Sequence, residues 1–310
     1  MLRLHFRPKR RTSPYLVLVA AALLIGPMAG IAQAQEVCTV NGTEVTIGQD
    51  VNGTPDDDLI VCVGVVTGFN IYGHGGDDTI ITTDITQGGI YGGEGGDTVE
   101  TGALTPTGSG ITAYIYGQGG DDTITTGAVT AAVNGSFFQP AVVYGGSGND
   151  DITTGVINQS EVRGEAGADS ITAAALTGKL TLSGGEDDDT ITITGSVADG
   201  FGFTSGDSGN DVITVGEYIG VVWGGPGGDR LTSLAPVVTE AALEGGRGED
   251  TLQAQAVALQ GRIRGGSDND LIEGLAGAPA EVLPGGRVDG GAGQDVCDVF
   301  PLGGTVTGCP

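Results

Sequence analysis

The sequence predicts an all-β fold of stacked parallel strands, a β-solenoid of about twelve coils. Three observations predict it. Glycine makes up 60 of the 310 residues, a glycine–aspartate turn recurs along the chain, and Ile, Val and Leu alternate on both sides of each turn. Glycine at this density without a G-X-Y period indicates either low complexity or a glycine-turn repeat. The regular apolar residues favour the repeat, because a disordered acidic chain would lack them.

The N-terminus has the organisation of a secretory signal peptide. A basic stretch precedes an apolar segment, residues 15–30, and residues 32–34, AQA, fit a cleavage site. Arg10-Arg11 could indicate twin-arginine export, but Thr-Ser-Pro follows where that signal needs apolar residues, which favours the general secretory (Sec) route. We therefore expect a signal peptide over 1–34 and one repeat domain over 35–310. We also expect an extracellular or cell-surface location, with no membrane insertion after cleavage.

The predicted mature chain is strongly acidic. Five of the 12 basic residues and none of the 39 acidic ones lie in residues 1–34, which leaves 7 basic and 39 acidic residues and a net charge of −32. Nucleic-acid binding needs clustered Lys and Arg, so nucleic acid is excluded as an expected partner. Such a charge also opposes compaction unless cations neutralise it.

The repeat becomes visible when every glycine–aspartate turn is aligned on its last aspartate. The aligned positions recur about every 20 residues, with occasional insertions, which is typical of a solenoid. They are Asp58, Asp78, Asp97, Asp122, Asp150, Asp169, Asp189, Asp211, Asp229, Asp250, Asp270 and Asp295.

Two apolar columns accompany this aspartate row. One lies two residues after the aspartate, as at Ile80 and Val99, and the other lies two residues before the first glycine of the turn, as at Ile71 and Ile90. Both sit in short alternating runs, which predict strands with one buried face. Each period is therefore one coil, and stacking buries the two columns as a thin core.

The chemistry of the turn indicates calcium. Glycine allows φ > 0 and lets carbonyl groups crowd inward, and carbonyl and carboxylate oxygens are the hard ligands that Ca²⁺ prefers. Stacked aspartates would repel one another without an intervening cation. Twelve turns leave eleven gaps, so we expect several ions and at most about eleven along this edge. Eleven ions would bring the net charge to about −10.

Four stretches carry a family resemblance: GGEGGDTVE (92–100), GGSGNDDIT (145–153), GGPGGDRLT (224–232) and GGRGEDTLQ (245–253). They resemble the RTX, or haemolysin-type, calcium-binding nonapeptide G-G-x-G-x-D-x-U-x, in which U is apolar. The similarity covers about residues 52–298. It implies a parallel β-roll of an exported bacterial protein, with Ca²⁺ between neighbouring coils and the twelve aspartates as side-chain ligands.

The chain departs from the family pattern in three respects. It has one motif per coil, which predicts a metal-free opposite edge. The fourth motif position is Asp56, Asp187 and Asp268 in three copies, where either strain or a different mode of ion binding is expected. The second position is His74, Gln118, Glu165 and Asp207 in four others. We interpret His74 as a residue of the turn surface.

The four cysteines form two local groups. An exported chain permits disulfides, and three pairings are possible. We expect Cys38–Cys62 and Cys297–Cys309, one bond near each end of the repeat domain. A zinc site is disfavoured, because the spacing is not of the CxxC kind and the mature chain has a single histidine.

Aromatic residues form an outward-facing stripe. Tyr72, Tyr91, Tyr116 and Tyr144 occupy one position on four successive coils. The stripe could stack on sugar rings or could be a cross-strand ladder that stabilises the sheet, and the ladder is favoured.

The function predicted from these features is that of an exported calcium-binding repeat protein, a structural or adhesive surface module rather than an enzyme. A nucleophile–histidine mechanism has little scope with one histidine. The alternative is a carbohydrate-binding protein, and a β-solenoid polysaccharide lyase or epimerase ranks third. Polysaccharide and cell-surface components are therefore the candidate partners besides calcium.

Overall fold

A computed structural model describes residues 37–46, 48–107, 112–134, 137–178 and 181–310. They belong to one compact unit, Glu36–Pro310. The predicted signal peptide lies outside the described residues. The described part of the chain contains no helix with the length and apolar character needed to cross a membrane.

The described chain is built almost wholly of short strands, with one 3₁₀ helix at Leu275–Gly277. In the first half the strands are β1 (Val37–Val40), β2 (Thr43–Val45), β3 (Val51–Asn52), β4 (Leu59–Val63), β5 (Val66–Thr67), β6 (Ile71–Gly75), β7 (Thr79–Thr82), β8 (Ile85–Glu94), β9 (Thr98–Glu100), β10 (Ala113–Gly119), β11 (Thr123–Thr125), β12 (Val129–Thr130), β13 (Ala132–Asn134), β14 (Phe137–Gln139), β15 (Val142–Ser147), β16 (Asp151–Asn158) and β17 (Glu161–Ala166). In the second half they are β18 (Ser170–Thr177), β19 (Thr181–Glu186), β20 (Thr190–Ile193), β21 (Val197–Ser208), β22 (Val212–Val215), β23 (Tyr218–Pro226), β24 (Arg230–Ser233), β25 (Ala241–Arg247), β26 (Thr251–Ala254), β27 (Ala256–Val257), β28 (Arg262–Ser267), β29 (Leu271–Glu273), β30 (Ala280–Val282), β31 (Arg287–Ala292), β32 (Val296–Cys297), β33 (Val299–Pro301) and β34 (Thr305–Thr307).

Successive coils stack in parallel register. The strand before each turn pairs with its counterpart one coil later, as in β6–β8–β10–β15, and the strand after each turn does the same, as in β7–β9–β11–β16. Equivalent residues face each other, for example Ile71, Ile90 and Ile115. The predicted all-β solenoid of about twelve coils is confirmed.

Both predicted apolar columns are buried. Ile80, Val99 and the equivalent residues of the other coils from Ile60 to Ile272 have no exposed surface, and Ile71 and Ile90 are likewise fully buried. The prediction of a two-column core was incomplete, because a third column is also fully buried on the side opposite the aspartate turns. In the first coils it consists of Val66, Ile85, Leu104, Val129, Ile157 and Leu176.

The N-terminal end of the solenoid is covered by antiparallel pairing. Strand β1 pairs with β2 and with β4, and Cys38 lies directly opposite Cys62 in the β1–β4 register. Both expected disulfides are present, Cys38–Cys62 and Cys297–Cys309. Because β1 occupies the outer edge of β4, the first coil does not present that edge for pairing with another chain.

Removing the N-terminal disulfide is expected to loosen the first coil. Replacing Cys38 and Cys62 with serine frees a loop of 24 residues, which costs about 3 kcal/mol by the loop-entropy relation. The measurement is amide hydrogen exchange in calcium, where β1 and β4 should lose protection while β24 and β26 keep theirs. Unchanged exchange in β1 and β4 would show that the bond contributes no stability there.

Candidate functional site

The structure brings all twelve predicted aspartates into one row along one edge of the solenoid. Each lies where a turn enters the following strand, and each is 4% exposed or less. Such deep burial of carboxylates is rare unless they are paired or bind a metal. The row is therefore the strongest candidate site in the described chain.

One oxygen of each carboxylate holds neighbouring coils together. The backbone N–H of an aspartate donates to Oδ1 of the aspartate in the next coil, as Asp122 does to Asp150 at 2.8 Å. Eleven such bonds, of 2.7–3.0 Å, connect the twelve aspartates. The row thus acts as a continuous ladder between coils.

The other oxygen has no partner. In the described residues, eleven buried Oδ2 atoms lack a hydrogen bond, one on each aspartate of the row from Asp78 to Asp295. Asp58 differs, because its Oδ2 accepts a hydrogen bond from Thr54 N–H and its Oδ1 accepts one from Asn41 Nδ2. A buried unpaired carboxylate oxygen is costly, so these eleven atoms need a proton or a cation.

The first glycine of each motif shapes the space around the unpaired oxygen. A Cβ on Gly73 would lie 2.1 Å from Asp78 Oδ2 and 2.3 Å from the Gly92 carbonyl oxygen of the next coil. All twelve first positions are glycine, and a Cβ at any of them would lie 2.0–2.6 Å from Oδ2 of its own aspartate. Sequence analysis did not assign these glycines to the site, although their presence in every copy was a usable signal.

Burial is the main cause of a raised pKa along the row. In ten carboxyls of the row desolvation raises the pKa most and neighbouring carboxylates raise it further, while the backbone hydrogen bond to the carboxylate lowers it by less. The pKa rises to about 6 for Asp78, Asp97, Asp150, Asp211 and Asp270, to about 7 for Asp122, Asp169, Asp229 and Asp250, and to about 8 for Asp189.

The donor set fits Ca²⁺. Carboxylate Oδ2 atoms and backbone carbonyl oxygens from adjacent coils converge at nine of the twelve first glycines, and both are hard oxygen ligands. In the described ranges no three His, Cys, Asp or Glu side chains cluster as a metal group. An ion held here would therefore use one or two aspartates together with carbonyl oxygens, and it would supply the positive charge that the row lacks.

A second ladder, which sequence analysis missed, runs along the exposed side of the same turns. Asp or Asn occupies the fifth motif position in seven copies, and its side-chain oxygen accepts a backbone N–H from the next coil. Asp121 Oδ1, for example, accepts the N–H of Asn149 at 2.8 Å. The sequence signal was the recurrence of Asp or Asn one residue before the aligned aspartate.

Six of the seven substituted motif positions have a positive φ. Asp187 and Asp268, at the fourth position, have φ of 74° and 81°, which agrees with the expected strain. Asp56, at the same position of the first copy, does not have a positive φ. His74, with φ of 81°, is exposed on the turn surface as expected, and its Nε2 lies 3.1 Å from Asn52 Oδ1. Positive φ in these residues costs conformational energy that the stacked coils must offset.

The tyrosine stripe forms a ladder of ring contacts. Tyr72 and Tyr91 lie in register with ring centroids 4.8 Å apart and an interplanar angle of 3°, and Tyr116 stacks on Tyr91 at 5.4 Å. Tyr144 continues the column at 5.3 Å from Tyr116, in an edge-to-face contact. Tyr114, which sequence analysis missed, packs 5.4 Å from Tyr91. Neighbouring rings cover much of the ring faces, so the arrangement agrees with the favoured reading as a stabilising ladder.

A single substitution of asparagine for an aspartate of the row should lower the stability of the fold in calcium and preserve or raise it without calcium. Asp150→Asn keeps the Oδ1 that accepts the Asp122 N–H and replaces the unpaired Oδ2 with a donor beside the Gly164 carbonyl. We expect the variant to lower the thermal midpoint in calcium, by about 2–4 °C for each kcal/mol lost, and to preserve or raise the β signal of the calcium-free chain.

The matched control is Asp151→Asn, which removes the same charge from the exposed adjacent residue. It should leave both signals unchanged. A shift of the same sign with and without calcium in the Asp150 variant would contradict a cation at this position.

The comparisons with known proteins agree with this geometry. The RTX calcium-binding nonapeptide repeat matches four segments, residues 114–128, 142–156, 205–235 and 262–278. These segments contain the turns that end at Asp122, Asp150, Asp211, Asp229 and Asp270. Searches of the curated proteins and of the solved structures gave no match.

Proposed function

The chain is an RTX repeat β-roll protein with calcium-binding repeats, and from this premise we propose that calcium drives its folding outside the cell. RTX repeats are typical of exported proteins, and the signal peptide expected over residues 1–34 supplies the export route. Before export the acidic chain stays open through charge repulsion, and calcium outside the cell closes and stacks the turns.

The observation that carries this proposal is the row of eleven buried Oδ2 atoms without hydrogen-bond partners. A fold stabilised without cations would leave these oxygens unpaired in a dry environment, at a cost for each one. Ions that bind only the folded chain add their binding free energy to its stability. The eleven atoms set the expected upper number of ions along this edge.

The experiment is a count of bound calcium. Residues 35–310 are equilibrated by dialysis against calcium, and the retained metal is measured by atomic absorption, with magnesium in parallel. We expect several calcium ions per chain and no comparable retention of magnesium, which keeps its water shell. Retention of fewer than about one calcium per chain would contradict the proposal.

We propose that the folded solenoid serves as a structural or adhesive surface module and is not an enzyme. The long ladder of coils supports this role, since it gives an extended, regular surface. The test of the surface role is calcium-dependent retention of the protein on the surface of the cells that produce it. Product release from pectin-like or alginate-like polymers would instead reveal a polysaccharide lyase.

Carbohydrate binding is the second candidate function. An open cleft of about 490 Å³ lies beside Tyr116 and Tyr144, and Gln118, Ser147 and Glu165 provide polar groups for sugar hydroxyls. Retention on a neutral polysaccharide should be lost in Tyr91→Ala plus Tyr116→Ala. It should persist in Tyr91→Phe plus Tyr116→Phe, which keeps the ring ladder. Equal retention by both variants would remove this candidate.

A further inference from the structure

The basic residues of the repeat domain are concentrated in one place. Only seven lie in residues 35–310, and three of them, Arg262, Arg264 and Arg287, lie on the outer face of the adjacent strands β28 and β31. All three side chains are exposed. In a domain with a net charge of −32 these three arginines are a local concentration of positive charge, far in sequence from the tyrosine ladder.

Two of these arginines face each other without a neutralising partner. Arg262 is in direct register with Arg287, and adjacent strands are about 4.8 Å apart. The next residues in the same column are Ala242 and Thr305, which carry no charge. Neither guanidinium has a hydrogen bond or ion pair within the described ranges. Like charges directly opposite are destabilising, so the pair favours an anion between or above them.

Arg264 has a different setting. It lies in register between Glu244 and Asp289, two carboxylates of the neighbouring coils. No ion pair to either carboxylate forms within the described ranges, but an acidic residue stands on each side of Arg264 in its own column. Arg262 and Arg287 differ, because neither has an acidic residue next to it in its column.

The space above the pair is suited to a ligand. Two open clefts, of about 370 and 350 Å³, are both lined by Arg262 and Arg287. Gln260 lines one cleft, and Thr305 and Thr307 line the other. Guanidinium groups bind planar oxyanions through paired N–H donors, and the hydroxyl and amide groups can bind sugar hydroxyls.

We propose that Arg262 and Arg287 bind a carboxylate of an acidic polysaccharide, of the uronate class. The clefts are bordered by Glu240, Glu244 and Asp289, which repel a doubly charged phosphate more strongly than a singly charged carboxylate. An open cleft on a sheet face also accommodates an extended chain. The assignment names a partner for the proposed surface module. It rests on the proposed function in one respect, because the site exists only when calcium has folded the chain.

The test uses residues 35–310 in excess calcium, with a short galacturonate oligosaccharide and its methyl ester as probes. Arg262→Gln plus Arg287→Gln is compared with Arg163→Gln plus Arg247→Gln, which changes the net charge equally at other sites. We expect the uronate affinity to fall about tenfold or more in the first variant and to stay unchanged in the second. The methyl ester, which lacks the charge, should not compete.

Three outcomes would overturn the assignment: no binding of the uronate, an equal loss in both variants, or equal competition by inorganic sulfate or phosphate. Circular dichroism of each variant in calcium reports folding separately. A folded first variant that has lost uronate binding supports the site. If the unsubstituted chain fails to fold in calcium, the calcium proposal has failed instead, and the two failures are distinguishable.

Discussion

Stripped of calcium, the chain is expected to gain β structure as the pH falls from about 8 to about 5. Ten aspartates of the row have folded-state pKa values of about 6 to 8, above the ordinary aspartate value of 3.8. A raised folded-state pKa means that the folded chain binds protons more tightly than the unfolded chain. Its stability is therefore highest at low pH and is lost as the pH rises through the folded-state values, by about 1.4 kcal/mol for each unit and group.

The measurement is far-UV circular dichroism over a pH series, after calcium has been removed on a chelating resin. The same series in calcium is the control. There the β signal should fall as the pH falls, because protons displace the ion from the carboxylates it needs. A β signal of the calcium-free chain that rises with pH, or does not change, would contradict a raised pKa of the aspartates in the folded chain.

The second large effect is expected from one methyl group. In Gly73→Ala the new Cβ would meet Asp78 Oδ2 at 2.1 Å and the Gly92 carbonyl oxygen at 2.3 Å. Because the carbonyl belongs to the backbone of the next coil, relief requires the two coils to separate. We expect a loss of about 3 kcal/mol, at the upper end for overpacking, together with weaker calcium binding.

Gly75→Ala in the same turn is the matched control. Its added Cβ would lie 3.7 Å from the nearest atom, at an ordinary contact distance, and Gly75 is not among the positive-φ glycines. This variant should stay within about 0.5 kcal/mol of the unsubstituted chain or gain slightly from a less flexible unfolded state. Urea unfolding in calcium compares the two, and equal midpoints would contradict the proposed role of the first glycine.

Much of the fold was predictable because every coil contains the same glycine–aspartate turn motif. The aspartate row and the two flanking apolar columns recur at fixed offsets, so register and burial follow directly from alignment of the copies. The third column was also present in the sequence but was missed. Ile85, Leu104, Val129, Ile157 and Leu176 each lie seven residues after their aspartate, and Val66 lies eight residues after Asp58. The connection that varies in length from coil to coil follows this column, so only the residues beyond it could not be aligned.

The candidate site was predicted in its residues but not in its geometry. The sequence identified twelve equivalent aspartates, whereas the structure distinguishes Asp58, whose carboxylate is satisfied by Asn41 and Thr54. That distinction depends on the N-terminal cap, a non-repeating contact that no periodicity reveals. The Arg262–Arg287 pair depends likewise on cross-coil register between segments 25 residues apart, a spacing that an insertion shifts away from the 20-residue period.

The most direct test of the calcium account is a titration of the calcium-free chain, residues 35–310, followed by far-UV circular dichroism at neutral pH. The account predicts a cooperative gain of β signal with calcium and a much smaller response to magnesium. A chain that is already fully β without calcium, and whose signal and melting temperature calcium leaves unchanged, would show that the aspartate row is not a working calcium site.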